Sequence, residues 1–195
     1  MLYRFLRPIV KFILHLIFRF DIENIEIIPK DRAVLIVANH ISFLDFGFIG
    51  ANVKTPISYL GKAELAKFKP FGAFLKALGF IPIKRGKSDI NAIKNVITTI
   101  EEGRSLLMFP QGTRKSGQKI SETNFKHGAS LVQRKAMCDV VPVSITANNM
   151  KAGIFKKITI RFGEIIPSEE FSELNDTQST ELIKEKIIAL AGETK

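Results

Sequence analysis

The sequence predicts an α/β domain with a mixed, largely parallel central sheet flanked by helices, preceded by an amphipathic helix. Three observations predict it. Short apolar runs alternate with helical patterns along the chain, the order that a sheet covered by helices requires. The runs are continuous rather than alternating, so their strands are expected to be buried on both faces. The first twenty residues, "MLYRFLRPIVKFILHLIFRF", set a narrow basic stripe against a wide apolar arc.

That opening segment comes first in the chain. On a helical wheel, Arg7, Lys11, His15 and Arg19 fall within roughly 60° of Arg4. Phe5, Leu6, Ile9, Val10, Phe12, Ile13, Leu14, Leu16, Ile17 and Phe20 fill the opposite arc. Pro8 suits a first helical turn. The pattern is that of a helix lying in a membrane interface; a helix packed on the domain is the alternative. A spanning helix needs about 20 consecutive apolar residues, which the cations interrupt, and no small-residue cleavage site is present after it. Residues 1–22 are therefore read as a membrane-associating helix and 23–195 as a single domain, long enough for its own core.

Six strands are expected in the domain: "AVLIVA" (33–38), "PISYLG" (56–61), "GFIPIK" (79–84), "SLLMFP" (105–110), "VVPVSI" (140–145) and "ITIRFG" (158–163). Helices are expected at 44–53, 70–78, 88–103, 127–137 and 177–191. The third is the clearest: Ser88 caps it, Ile90, Ile93, Ile97 and Ile100 form one face, and Gly103 closes it. A polar loop, "RKSGQKISET" (114–123), comes after one strand. Phe68, Phe71, Phe74 and Phe80 either line an apolar channel or fill the core.

A net charge of +10 calls for an anionic partner: nucleic acid, an acidic membrane or a phosphorylated substrate. The aromatic residues sit in apolar runs and no nucleic-acid-binding signature is present, so a membrane surface is favoured and nucleic acid is not expected. The single Cys138 cannot form an internal disulfide and reads as a buried, inert thiol.

In α/β sheets, sites lie outside the carboxyl ends of strands. Two polar segments fall there: Asn39-His40 with Ser42 and Asp45, and "FPQGTRKSG" (109–117). A turn leading into a new helix can fold Asp45 onto His40, fixing the tautomer and leaving the second ring nitrogen to accept a proton. By spacing alone, an ordinary structural turn residue is the plainer reading of His40. Three histidines and one cysteine, scattered, do not make a metal site. Ser42 lacks the G-x-S-x-G elbow of a serine nucleophile, so a base at His40 would act on a substrate group. In the second segment, glycines open the backbone to an anion and Arg114 offers a fork to phosphate. A solvated basic loop is an equal reading.

Four blocks in order then resemble the glycerolipid acyltransferases of the 1-acylglycerol-3-phosphate acyltransferase type. "NHISFLD" (39–45) is similar to N-H-x-x-x-x-D, "GFIPIKR" (79–85) to the second block, "FPQGTRKSG" (109–117) to F-P-E-G-T-R-S, and "VVPVSI" (140–145) to the Val-Pro-rich fourth. "GKAEL" and "FKHGA" match the segments between. The resemblance implies acyl transfer from an acyl thioester, on acyl carrier protein or coenzyme A, to the hydroxyl of lysophosphatidic acid. No metal or bound cofactor is implied, and an anionic membrane is implied as the place of work. It implies His40 as general base and Asp45 as its orienting partner, with Gln111, Gly112, Thr113 and Arg114 binding the glycerol phosphate. Lys62 and Arg85 are implied as helpers. Two positions depart from the pattern. Gln111 stands where the family has Glu, and Lys84 where an acid is common. If the Glu positions the loop, Gln can serve; if it must be anionic, acceptor choice changes.

Overall fold

The computed structural model describes residues 2–83 and 90–193. Its centre is a seven-stranded sheet of order β1-β7-β6-β2-β5-β3-β4. The strands are β1 (Arg19–Glu23), β2 (Leu35–Ala38), β3 (Ile57–Lys62), β4 (Phe80–Ile83), β5 (Ser105–Met108), β6 (Val140–Ala147) and β7 (Lys157–Phe162). All neighbours pair in parallel except β6 with β7. The sheet is thus mixed and largely parallel, as predicted, and the six predicted strands form within a few residues of their expected limits.

The helices are α1 (Leu2–Ile17), α2 (Asp45–Gly50), α3 (Lys69–Ala77), α4 (Ile90–Glu101), α5 (Gly128–Ala136) and α6 (Asp176–Ala191). Strand residues divide between two cores by alternation. Ile36 and Ala38 join Leu14, Phe18, Phe48 and Ile49 on one face. Leu35 and Val37 join Val96, Ile100, Val132, Ile183 and Ile187 on the other. Every residue of β2 is fully buried, which is why its sequence is apolar without interruption. Helix α6 starts with a complete capping box: Asn175 accepts from the Gln178 N–H, and the Gln178 side chain accepts from the Asn175 N–H. Its far end is closed by Gly192 at φ 71. The Ser88 cap expected for α4 lies outside the described residues.

The N-terminal segment differs from its prediction. Helix α1 stops at Ile17, and residues 19–23 form a seventh strand paired with β7. Phe18 turns inward and packs edge-on against Phe48, ring centroids 5.0 Å apart. The expected boundary at residue 22 therefore falls inside the sheet. The helix packs on the domain through Tyr3 and Leu14 together with part of its basic stripe. Arg7 Nε donates to the Ala51 carbonyl (3.2 Å), and the His15 ring meets Asn52 Oδ1 (2.9 Å). These groups dock at the carbonyl end of α2, where the helix dipole favours cations. The opposite face points outward, with Phe5 68%, Phe12 70% and Leu16 68% exposed. Among the described residues no helix is long and apolar enough to cross a membrane.

Candidate active site

Strands β2, β5 and β3 run in the same direction, so the segments after them open at one edge of the sheet. The chain leaves β2 through Asn39, a fully buried amide whose Nδ2 donates to the Ile145 carbonyl (2.8 Å). Its Oδ1 accepts from the Ile145 N–H (2.7 Å). This two-point bond ties the exit of β2 to β6 and fixes where the next residue, His40, begins.

His40 is held on every side. Its Nδ1 lies 2.7 Å from Asp45 Oδ2. Its ring stacks on Phe109 at 4.2 Å between centroids and 18° between planes. Its backbone N–H donates to Gln111 Oε1 (2.6 Å), and its carbonyl accepts from the Lys115 N–H (2.7 Å). Asp45 occupies the first turn of α2 and is fully buried. Its Oδ2 also accepts from the N–H groups of Ile41 (2.7 Å) and Ser42 (2.8 Å). The turn between His40 and Asp45 thus closes the five-residue spacing. Asp45 Oδ1 is buried without a protein hydrogen bond.

Burial pushes the Asp45 carboxyl above the ordinary carboxylate value, while the His40 ring and the Ser42 and Ile41 N–H groups pull it back. An acceptor on Nδ1 fixes that nitrogen as the protonated one and leaves Nε2 with its lone pair. The pair can therefore take up a proton at Nε2. The Ser42 hydroxyl accepts from the Leu44 N–H (3.2 Å) and has no bond to the ring.

The second segment lies beside the first. Gln111 is buried, and its amide is engaged at both ends: Oε1 on His40, and Nε2 donating to Thr123 Oγ1 (2.7 Å). Thr123 Oγ1 in turn donates to the Ile120 carbonyl (2.8 Å). Gly112 sits at φ 70, a left-handed turn that suits glycine. A Cβ on Gly112 would lie 3.3 Å from the Lys126 ammonium nitrogen, so Lys126 covers this turn. Thr113 and Arg114 are exposed, and the Arg114 guanidinium lies 5.8 Å from the centre of the Phe43 ring. Lys62 ends β3, exposed, on the same edge. Arg85 and Lys84 lie outside the described residues.

A small apolar cavity adjoins this edge, lined by Phe43, Phe46, Tyr59, Gly61, Leu65 and Phe80 among others. Of the phenylalanines expected in a channel or the core, Phe80 lines the cavity, whereas Phe68 and Phe74 are exposed. The structure adds Lys126 to the residues around the site and gives Asn39 and Phe109, already in the two segments, their contacts. Asn39 and Phe109 each come directly after a buried strand, a signal that marks an edge position but not a contact. Among the described residues no three His, Cys, Asp or Glu side chains gather as a metal site. His15 and His127 are bonded elsewhere, to Asn52 and Thr180.

A sheet with a His–Asp pair and a basic glycine turn at one edge defines a class that comparison with known proteins names. The sequence profile of the Acyltransferase family matches residues 19–146, and the chain belongs to that family of enzymes. It is 28% identical over 176 residues to the 1-acyl-sn-glycerol-3-phosphate acyltransferase of Bacillus subtilis, covering 89% of this chain and 86% of that protein. It is 32% identical over 116 residues to the lyso-ornithine lipid O-acyltransferase of Pseudomonas aeruginosa, covering 59% of this chain and 43% of that protein. The crystal structure of the 1-acyl-sn-glycerophosphate acyltransferase PlsC from Thermotoga maritima shares the fold. Its TM-score is 0.75 over 97% of this chain and 81% of that chain, at 21% identity.

Proposed function

We propose that this acyltransferase moves a fatty acyl chain from a thioester, on acyl carrier protein or coenzyme A, to the sn-2 hydroxyl of 1-acylglycerol 3-phosphate, giving phosphatidic acid. The His40–Asp45 pair carries the reading: a buried carboxyl group holds Nδ1 at 2.7 Å, which leaves the Nε2 lone pair free to take a proton at the sheet edge. His40 Nε2 takes the proton of the acceptor hydroxyl as its oxygen attacks the thioester carbonyl. The carbon–sulfur bond then breaks, and the imidazolium returns the proton to the departing thiolate. No acyl-enzyme forms, in keeping with a Ser42 hydroxyl that makes no bond to the His40 ring and so has no base to activate it.

Arg114 and Lys126 are assigned to the phosphomonoester through charge-assisted hydrogen bonds, with the Gly112 turn beneath them. Lys62, Thr113 and Arg85 are assigned as helpers at the same group. Gln111 is assigned a positioning part instead, because both ends of its amide are already bonded to protein groups. The apolar cavity is assigned to the acyl chain. Helix α1 attaches the enzyme to the cytoplasmic face of an anionic membrane through its outward apolar side.

Thiol release from an acyl donor tests this with lysophosphatidic acid as acceptor. Replacing His40 by Ala should lower turnover about 10²–10⁴-fold, whereas Arg114→Ala and Lys126→Ala should chiefly raise KM for the acceptor. Near-normal turnover of His40→Ala sinks the mechanism. Good rates with lysolipids that lack a phosphomonoester, and little with lysophosphatidic acid, would favour an acceptor like that named for the Pseudomonas relative.

A further inference from the structure

The loop between β6 and β7 takes no part in the chemistry above, yet it is built at some energetic cost. Asn149, Met150 and Phe155 sit at φ 51, 52 and 58, a region that residues with side chains rarely adopt. Phe155 is held there by its N–H, which donates to the carbonyl of Ile17, the last residue of α1 (2.8 Å). The result is a tip that pushes two large apolar side chains into solvent, Ile154 at 67% and Phe155 at 69% exposure.

The position of the tip is informative. Strand β6 runs parallel to β2, so the loop leaves the sheet at the edge that carries His40. Two backbone bonds connect them: Gly117 N–H to the Met150 carbonyl (3.0 Å) and Lys115 N–H to the His40 carbonyl (2.7 Å). The bond to Ile17 places the tip at the end of α1 beside exposed Leu16. The tip thereby extends the apolar side of α1 toward the site. Exposed Lys151 and Lys156 flank it, while Lys157 is paired with Asp21 (2.8 Å).

We propose that Ile154 and Phe155 form a second lipid-inserting point, which together with α1 turns the His40 edge of the sheet toward an anionic bilayer. The inference rests on the reading of α1 as a membrane helix. A protruding apolar pair between lysines matches the two layers of a bilayer surface. The side chains enter the acyl boundary, and the ammonium groups stay among anionic headgroups. A single helix leaves rotation about its own axis open; a second contact beside its end removes that freedom. An acceptor standing in the membrane would then meet His40 at a fixed height.

The chain contains no tryptophan, so Phe155→Trp and, separately, Ile154→Trp each give a sole tryptophan at the tip, excited selectively over the two tyrosines. With vesicles of phosphatidylglycerol and phosphatidylcholine, their emission should shift to the blue and be quenched by lipids brominated in the acyl chain. The double variant Ile154→Ser/Phe155→Ser should bind these vesicles at least about tenfold more weakly and keep its turnover on detergent-dispersed substrate. Lys151→Glu/Lys156→Glu should lose the preference for anionic over pure phosphatidylcholine vesicles. If the protein floats with vesicles while both reporters keep solvent-like emission, the tip does not insert: this inference falls and the reading of α1 stands. If it does not float at all, both fall. A blue shift that tracks protein concentration without lipid would mark a self-association surface and also overturn the proposal.

Discussion

The side-chain carbonyl of Gln111 accepts the backbone N–H of His40 at 2.6 Å, so the residue that departs from the family block grips the base by its main chain. The bond is part-buried, and its direction is set by what lies behind it. Thr123 gives its hydroxyl proton to the Ile120 carbonyl, so it can only accept from Gln111, and an amide supplies the N–H that this requires.

Gln111→Leu leaves the part-buried His40 N–H without its partner, which costs up to about 1–3 kcal/mol. Gln111→Glu forces Thr123 to abandon Ile120 and buries a charge. Both should lower the melting temperature and kcat, with little change in KM for the acceptor. Thermal melts beside steady-state kinetics check this. An acceptor KM that rises as it does for Arg114→Ala would return Gln111 to the substrate.

Asp45→Asn separates stability from activity. Burial raises the Asp45 carboxyl above its ordinary value, so the folded state holds that proton more tightly than the unfolded chain. The ionised form is therefore disfavoured by folding, and stability is lost as pH rises through the folded value. An uncharged Asn escapes that loss. The melting temperature of Asp45→Asn relative to wild type should rise from acid to neutral pH. Turnover should fall by about 10²–10⁴-fold, because the ring is no longer oriented by an anion. A parallel loss of stability and rate at every pH would contradict the assignment.

Gly61 should set the usable length of the acyl cavity. A Cβ there would collide with Cε2 of Phe80, and both residues line the cavity. Gly61→Ala drives the Phe80 ring aside into that space. Rates with long acyl donors should fall relative to short ones, and a series of acyl thioesters at fixed acceptor reads this directly. An unchanged chain-length profile would place the chain elsewhere.

Cys138 should be silent toward thiol reagents in the native protein. It is buried, and burial pushes its thiol up to about 12, so almost no thiolate exists near neutral pH. Reaction with a disulfide reagent should occur only on unfolding, making Cys138 a label for the unfolded fraction. Rapid labelling of the folded enzyme would refute this.

Much of the fold is legible in the chain alone. The unbroken apolar run at 35–38 announces a strand buried on both faces, because burial on two sides leaves no polar position. The His40–Asp45 spacing read alone is ambiguous; the ordered blocks around it, not the spacing, point to a pair. Residues 19–23 mislead because Arg19 and Phe20 continue the helical pattern of α1. Their strand exists only through pairing with residues 157–161.

Local and periodic features are thus encoded in the order of residues: where most strands and helices form, that α1 has two unlike faces, and which polar residues come after the central strands. Periodicity along a chain is enough for these. Folding in three dimensions settles the rest: which face of α1 turns inward, that the Gln111 amide meets the His40 backbone, that Lys126 lies over Gly112, and that the 148–156 loop stands beside the end of α1. Most of these are contacts between segments far apart in the chain. They depend on sheet order and on the direction of single hydrogen bonds, and no local pattern of residues carries either.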